Sequence, residues 1–136
     1  MSEYLGGNKA YRLPAEWETQ EAVWFAWTTR EDLWKGYLET VQNRFIELYR
    51  LCSNFQKVNI LCPENARADL SRVLNLQEHK NEIVIHSYET DDVWIRDYGS
   101  IFLKDKSKGS LISSDWAFNA WGGKFDLFKK DNGVPK

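Results

Sequence analysis

Val58-Asn59-Ile60-Leu61-Cys62-Pro63-Glu64-Asn65-Ala66 changes structural period within two residues. The run 58–62 is short, apolar and rich in β-branched residues, the pattern of a buried strand. Pro63 has no amide hydrogen to give a sheet, and its fixed φ suits a first helical turn. A helix is therefore expected from Pro63-Glu64-Asn65 onward, with Ala66, Leu70, Val73 and Leu74 on one face. Upstream, Trp34, Leu38, Val41, Phe45, Leu48 and Cys52 recur at helical spacing, opposite Glu39, Gln42, Asn43, Glu47 and Arg50. That spacing predicts an amphipathic helix ending near Ser53-Asn54. Ala22-Val23-Trp24-Phe25-Ala26-Trp27 reads as an earlier buried strand, and 82–88 as a third. Runs 100–103 and 110–114 flank Lys104-Asp105-Lys106-Ser107-Lys108-Gly109 and read as an antiparallel hairpin. Strand alternating with helix gives an α/β class with parallel pairing, in one domain whose residues 1–12 form a loose leader.

The composition excludes several functions. Of 136 residues, 43% are hydrophobic and 15% aromatic, enough for a packed core. Lys and Arg total 18 against 20 Asp and Glu, a net charge of -2, so no basic excess draws the chain to nucleic acid. No apolar stretch approaches a membrane span, and Met1 to Gly7 has neither the basic nor the apolar region of a signal peptide. Two cysteines, Cys52 and Cys62, are too few for a disulfide framework, and the cytoplasm is the expected compartment.

Two stretches carry chemistry: Asp91-Asp92-Val93-Trp94-Ile95-Arg96-Asp97-Tyr98-Gly99 and Asp115-Trp116-Ala117-Phe118-Asn119-Ala120-Trp121-Gly122-Gly123-Lys124. Each sets tryptophan beside a carboxylate and near glycine. Indole faces attract cations, carboxylates supply counter-charge, and a planar guanidinium stacks and accepts a two-pronged carboxylate at once. Trp94 and Asp97, three apart, fall on one side of a tight turn, so a turn leading into a strand is expected, with both side chains converging on one hollow. Read alone, a W-x-x-D spacing better fits a core indole with a turn-capping aspartate. The aromatic Phe118–Trp121 string shifts that balance, because it exposes ring surface that something must cover. Arg96 is expected in a structural ion pair, and Asp91 and Asp92 lack companions at metal-ligand spacing, so neither a metal nor another cofactor is expected. His79 and His86 have no adjacent nucleophile, and both cysteines sit on core positions. A non-catalytic alternative remains, an aromatic-lined module that stacks an amine or a sugar on Trp94, Trp116 and Trp121.

With Leu13-Pro14-Ala15-Glu16-Trp17-Glu18, Glu21 and Trp24, these motifs resemble the agmatine deiminase and Porphyromonas-type peptidylarginine deiminase family. They occur in family order, and the last one resembles the agmatine deiminase branch. The resemblance implies a pentein fold, an α/β propeller of five repeated units, of which this chain would hold the opening β-α-β units as the N-terminal part of one catalytic domain. It also implies a chemistry. A cysteine attacks the guanidine carbon, ammonia leaves from an amidino-thioether, and water releases an N-carbamoyl product. By position, Asp97 becomes a carboxylate that grips the guanidinium and takes part in catalysis, and Trp94 an aromatic substrate contact; Trp121 is expected as a further substrate-binding residue. The nucleophile, the histidine and the second carboxylate lie beyond the residues matched here, so this portion alone is expected to be inactive. The implied reaction converts agmatine to N-carbamoylputrescine, with peptidyl arginine as the alternative substrate. Ser100 and Thr28 stand where the family usually has proline, a change in rigidity rather than in reactive groups.

Overall fold

The computed structural model describes residues 10–135. Three strands, β2 (Ala22–Ala26), β3 (Lys57–Cys62) and β4 (Ile83–Ser87), form a parallel sheet in the order β2-β3-β4. Phe25 lies opposite Ile60, and Ile60 opposite Ile85. Two helices make the crossovers that parallel pairing needs, α1 (Leu38–Ser53) and α2 (Glu64–Leu74). A second sheet is antiparallel, β1 (Tyr11–Arg12), β5 (Ile101–Asp105) and β6 (Leu111–Ser114), in the order β1-β5-β6. The class is α/β, as the alternation of periods requires.

Strand alternation decides the core. Val58, Ile60 and Cys62 of β3, with Ile83 and Ile85 of β4, join Ile46 and Tyr49 of α1 and Leu70 and Leu74 of α2 in one buried cluster. Burying each large apolar side chain there contributes about 1.5–3 kcal/mol. The opposite sheet face carries Trp24, Asn59 and His86, with the imidazole stacked on the indole at 5.0 Å. Among the described residues, no helix is long and apolar enough to cross a membrane.

The structure corrects four local expectations. Helix α1 begins at Leu38 instead of Trp34, because the chain takes a left-handed step at Gly36 (φ 73°) that a continuous helix cannot contain. Its buried stripe is Ile46, Tyr49 and Ser53, while Leu48 is exposed. Tyr49 sets that rotation by packing on Phe25, Phe45 and Trp27, with ring centroids 5.0–6.3 Å apart. Val73 of α2 is also exposed, since Leu70 and Leu74 are the buried residues of that helix, with Ala66 partly buried against the core. Tyr11 and Arg12, expected in a loose leader, instead pair with Asp105 and Lys104, and Arg12 holds Glu18 in a two-pronged ion pair. Residues 1–9 of that leader lie outside the described residues.

Candidate functional site

After β4 the chain runs through residues 88–94 into α3 (Ile95–Tyr98), a single helical turn. Trp94 stands at its start, where its carbonyl accepts the N–H of Asp97 at 2.9 Å. The N–H of Gly99 closes the turn on the Ile95 carbonyl at 2.8 Å. Tyr98 is buried, and its hydroxyl donates to the Asp92 carbonyl at 2.8 Å, which folds the turn back on its own entry. Burial also pushes the Tyr98 hydroxyl pKa up, so it stays a donor. This arrangement leaves Asp97 exposed and Trp94 about half exposed, at 48%.

The second motif comes to meet the first. Ala120 and Trp121 both adopt left-handed backbone (φ 53° and 55°), followed by Gly122 and Gly123 at 83° and 78°. Two non-glycine residues in that region cost about 1–2 kcal/mol each, strain of the kind that gathers where a side chain must be aimed. Asn119 offsets part of it by accepting the N–H of Gly122 at 2.9 Å. The outcome is that Trp121 Nε1 donates to Asp97 Oδ1 at 3.3 Å. Phe118 backs the indole edge-on at 5.2 Å and also meets Tyr98 at 5.9 Å.

Beside Trp121 lies a hollow of about 230 Å³. Its walls include the apolar Phe118, Phe125 and Leu127 and the acidic Asp91, Asp92 and Asp131. Arg30 lines it too, but that guanidinium is paired with Asp32 and donates to the Asp91 carbonyl. Neither Trp94 nor Asp97 lines this hollow. The structure thus brings Asp97 to Trp121 and Trp121 to the hollow, while Trp94 stands at the far end of the α3 turn.

Other candidates have structural partners. Arg96 pairs with Glu16 at 3.1 Å, both largely exposed, so the pair adds little stability. Asp91 accepts the N–H of Lys130 at 2.9 Å. His86 bonds Asn59 at 2.9 Å, and His79 joins the Leu74 carbonyl at 2.6 Å. Cys62 is fully buried, and burial pushes its thiol up to about 11. A thiol that stays protonated and covered is a poor nucleophile. In the native protein Cys62 should therefore resist iodoacetamide, with mass spectrometry finding label there only after denaturation.

Sequence reasoning missed Asp131, which is 2% exposed. Its Oδ1 accepts the N–H of Asp91 at 2.6 Å and that of Asp92 at 3.3 Å. Burial, with Asp91 and Asp92 close by, raises its pKa from 3.8 to about 6, and the two N–H groups hold it from rising further. Among the described residues, Tyr88, Tyr98, Arg30, Asp32, Asp126 and Lys130 are further ionisable groups near it. A raised carboxyl pKa means the folded state holds the proton more tightly than the unfolded chain. This group favours folding most at acid pH and loses that contribution as pH climbs from 3.8 to about 6. Asp131→Asn keeps the accepting oxygen and removes the buried charge. It should raise stability by roughly 2–3 kcal/mol near neutral pH and by almost nothing below about pH 4. Thermal melts at both pH values check this, and an equal gain at both would refute it.

The fold, with its aromatic and acidic motifs joined at Trp121 and Asp97, defines an α/β protein. The Porphyromonas-type peptidyl-arginine deiminase pattern matches residues 12–136, and the chain belongs to that family. An agmatine deiminase of Pseudomonas aeruginosa is 35% identical over 117 residues, which cover 83% of this chain and 29% of that one. The solved agmatine deiminase of Enterococcus faecalis is 31% identical with a TM-score of 0.80, covering 92% of this chain and 34% of that one. A substrate-bound agmatine deiminase of C. jejuni is 32% identical with a TM-score of 0.76, covering 92% and 35%. The chain therefore spans about a third of the length of the relatives it matches.

Proposed function

We propose that the complete protein is a guanidine deiminase that hydrolyses agmatine to N-carbamoylputrescine and ammonia. The observation that carries this reading is the 3.3 Å contact between Trp121 and Asp97, which joins the two tryptophan-and-carboxylate motifs in a chain of this family. Trp121 occupies one oxygen of Asp97 and leaves the other to receive guanidinium N–H groups. The hollow beside Trp121, whose lining carries Asp92 and Asp126, favours a substrate whose far end is an amine, as in agmatine, over one ending in a carboxylate, as in arginine.

In the covalent step a thiolate adds to the guanidine carbon, and the leaving nitrogen takes a proton and departs as ammonia. Water then adds to the amidino-thioether and expels the thiolate, giving the carbamoyl product. Asp97 would hold the cation while the tetrahedral carbon forms. Cys62 is too buried to serve, and Cys52, also raised in pKa by burial, faces the helix–sheet core, so we assign the nucleophile to residues outside 1–136. We also infer that the parallel sheet with α1 and α2 opens a five-unit propeller of one catalytic domain. Two free thiols suit a reducing compartment, and we place the enzyme in the cytoplasm.

Peptidyl arginine is the second reading, favoured by the description of the matched family. A colorimetric ureido assay on the complete protein with agmatine, arginine and an arginyl peptide separates them. Agmatine should give the highest kcat/KM. Product from the peptide alone would install the second reading, and no product from any guanidine would leave a binding module. Trp94→Ala should lower kcat/KM about 2- to 30-fold, the cation–π loss of roughly 0.5–2 kcal/mol. An unchanged kcat/KM would return Trp94 to a packing role.

A further inference from the structure

The turn around residues 130–132 touches both arms of the site through adjacent side chains. Asp131 accepts the N–H groups of Asp91 and Asp92, and Asp91 in return accepts the N–H of Lys130 at 2.9 Å. Each carboxylate thus holds backbone of the other's segment. Next to it, Asn132 Oδ1 accepts the N–H of Phe118 at 2.8 Å. Tyr88 and Glu89 add further ties, the Tyr88 hydroxyl to the Lys130 carbonyl at 2.9 Å and Glu89 to the Lys130 ammonium at 2.6 Å.

Both arms need such anchors. The Asp97 arm is a lone four-residue turn, and an isolated turn is marginal without tertiary support. The Trp121 arm runs from β6 through irregular chain into left-handed backbone. From Asp92, whose amide Asp131 holds and whose carbonyl Tyr98 holds, the chain leads straight to Asp97. From Phe118, whose amide Asn132 holds, it leads to Trp121, and the Phe118 ring packs on that indole. Two neighbouring side chains therefore fix the two partners of the Trp121–Asp97 contact from behind.

We propose that Asp131 and Asn132 are positioning residues that set Asp97 and Trp121 against each other and so fix the guanidinium seat. This rests on the deiminase reading. Neither residue touches the reacting atoms. Their work is geometric, and it asks for an acceptor oxygen at each position rather than for a charge.

The test uses the complete enzyme with Asp131→Ala, Asp131→Asn, Asn132→Ala and Asn132→Asp. Each alanine variant should lower kcat/KM about 10- to 100-fold, mainly in kcat, because a displacement near 1 Å is enough for such a loss. The isosteric Asp131→Asn and Asn132→Asp should recover most of it, since each keeps an acceptor oxygen. Alanine variants that keep wild-type kcat/KM overturn the proposal. So does an Asp131→Asn as damaged as Asp131→Ala, which would show that the charge is what matters. Amide hydrogen exchange gives a readout that does not depend on turnover. Asp131→Ala should speed exchange at Asp91 and Asp92 and leave Phe118 slow, while Asn132→Ala should do the reverse. Unchanged exchange at those amides overturns the proposal even if activity falls. Should the wild-type protein form no ureido product from any guanidine, the deiminase reading fails, and the exchange pattern still decides whether these two side chains hold the arms.

Discussion

Asp97→Asn in the complete enzyme is expected to lower kcat/KM several hundred-fold or more while leaving the fold intact. Among the described residues Asp97 is exposed, and its side chain accepts one hydrogen bond, from Trp121 Nε1, so its loss removes no core packing. On the proposed deiminase reading, the effect arises when a guanidinium covers the carboxylate and excludes water. Removing one partner of such a desolvated pair costs about 3–5 kcal/mol, or roughly 10²- to 10³-fold and beyond when the whole cost falls in the transition state. Asparagine is the informative replacement. It keeps the shape and can still accept from Trp121, but its amide nitrogen would present N–H to the N–H of the substrate. The ureido assay measures the change, and thermal melting confirms that the variant stays folded. A variant with near-normal kcat/KM would take Asp97 out of the mechanism.

The parallel sheet was legible because its strands bury apolar residues against α1 and α2, which leaves short apolar-rich runs within 22–27, 58–62 and 82–88. Helix α2 was legible for a different reason, since Pro63 marks its first turn and sits at φ -55°. The buried face of α1 was not. Leu48 and Leu51 are exposed, and the side chain that fixes the rotation is Tyr49, whose hydroxyl end disguises a fully buried ring. Strand β1 was invisible because two residues carry no periodicity and pair only where the β5 edge offers partners. The two tryptophan motifs could be read as belonging to one site from their composition. Their contact could not, because it depends on a left-handed turn at Ala120–Gly123 and on a carboxylate at 131 that bonds amides about 40 residues away. Lys130-Asp131-Asn132-Gly133 looks like any polar turn until its partners are known.

Gly99→Ala is expected to cost about 1–3 kcal/mol in stability and on the order of 100-fold in kcat/KM. Its backbone is ordinary, φ -72° and ψ 171°, so the penalty does not come from φ. A Cβ there would lie 2.5 Å from the Ile95 carbonyl oxygen and 3.3 Å from Ile95 Cγ1. That carbonyl cannot turn aside, because it accepts the Gly99 N–H at 2.8 Å and so closes the α3 turn. The movement cannot pass to Tyr98 either, which is 2% exposed and bonded to the Asp92 carbonyl. Only the exposed middle of the turn can give, and Asp97 is on it. Gly109→Ala serves as the control. It lies in the β5–β6 turn at φ 70° with nothing within 4 Å of a new Cβ, so it should cost about 1 kcal/mol of backbone strain and no activity. Melting curves and ureido kinetics on both variants separate loss of fold from loss of aim. If Gly99→Ala loses stability yet turns over substrate like wild type, the placement of Asp97 does not depend on how α3 closes, and the seat must be built from the Trp121 side.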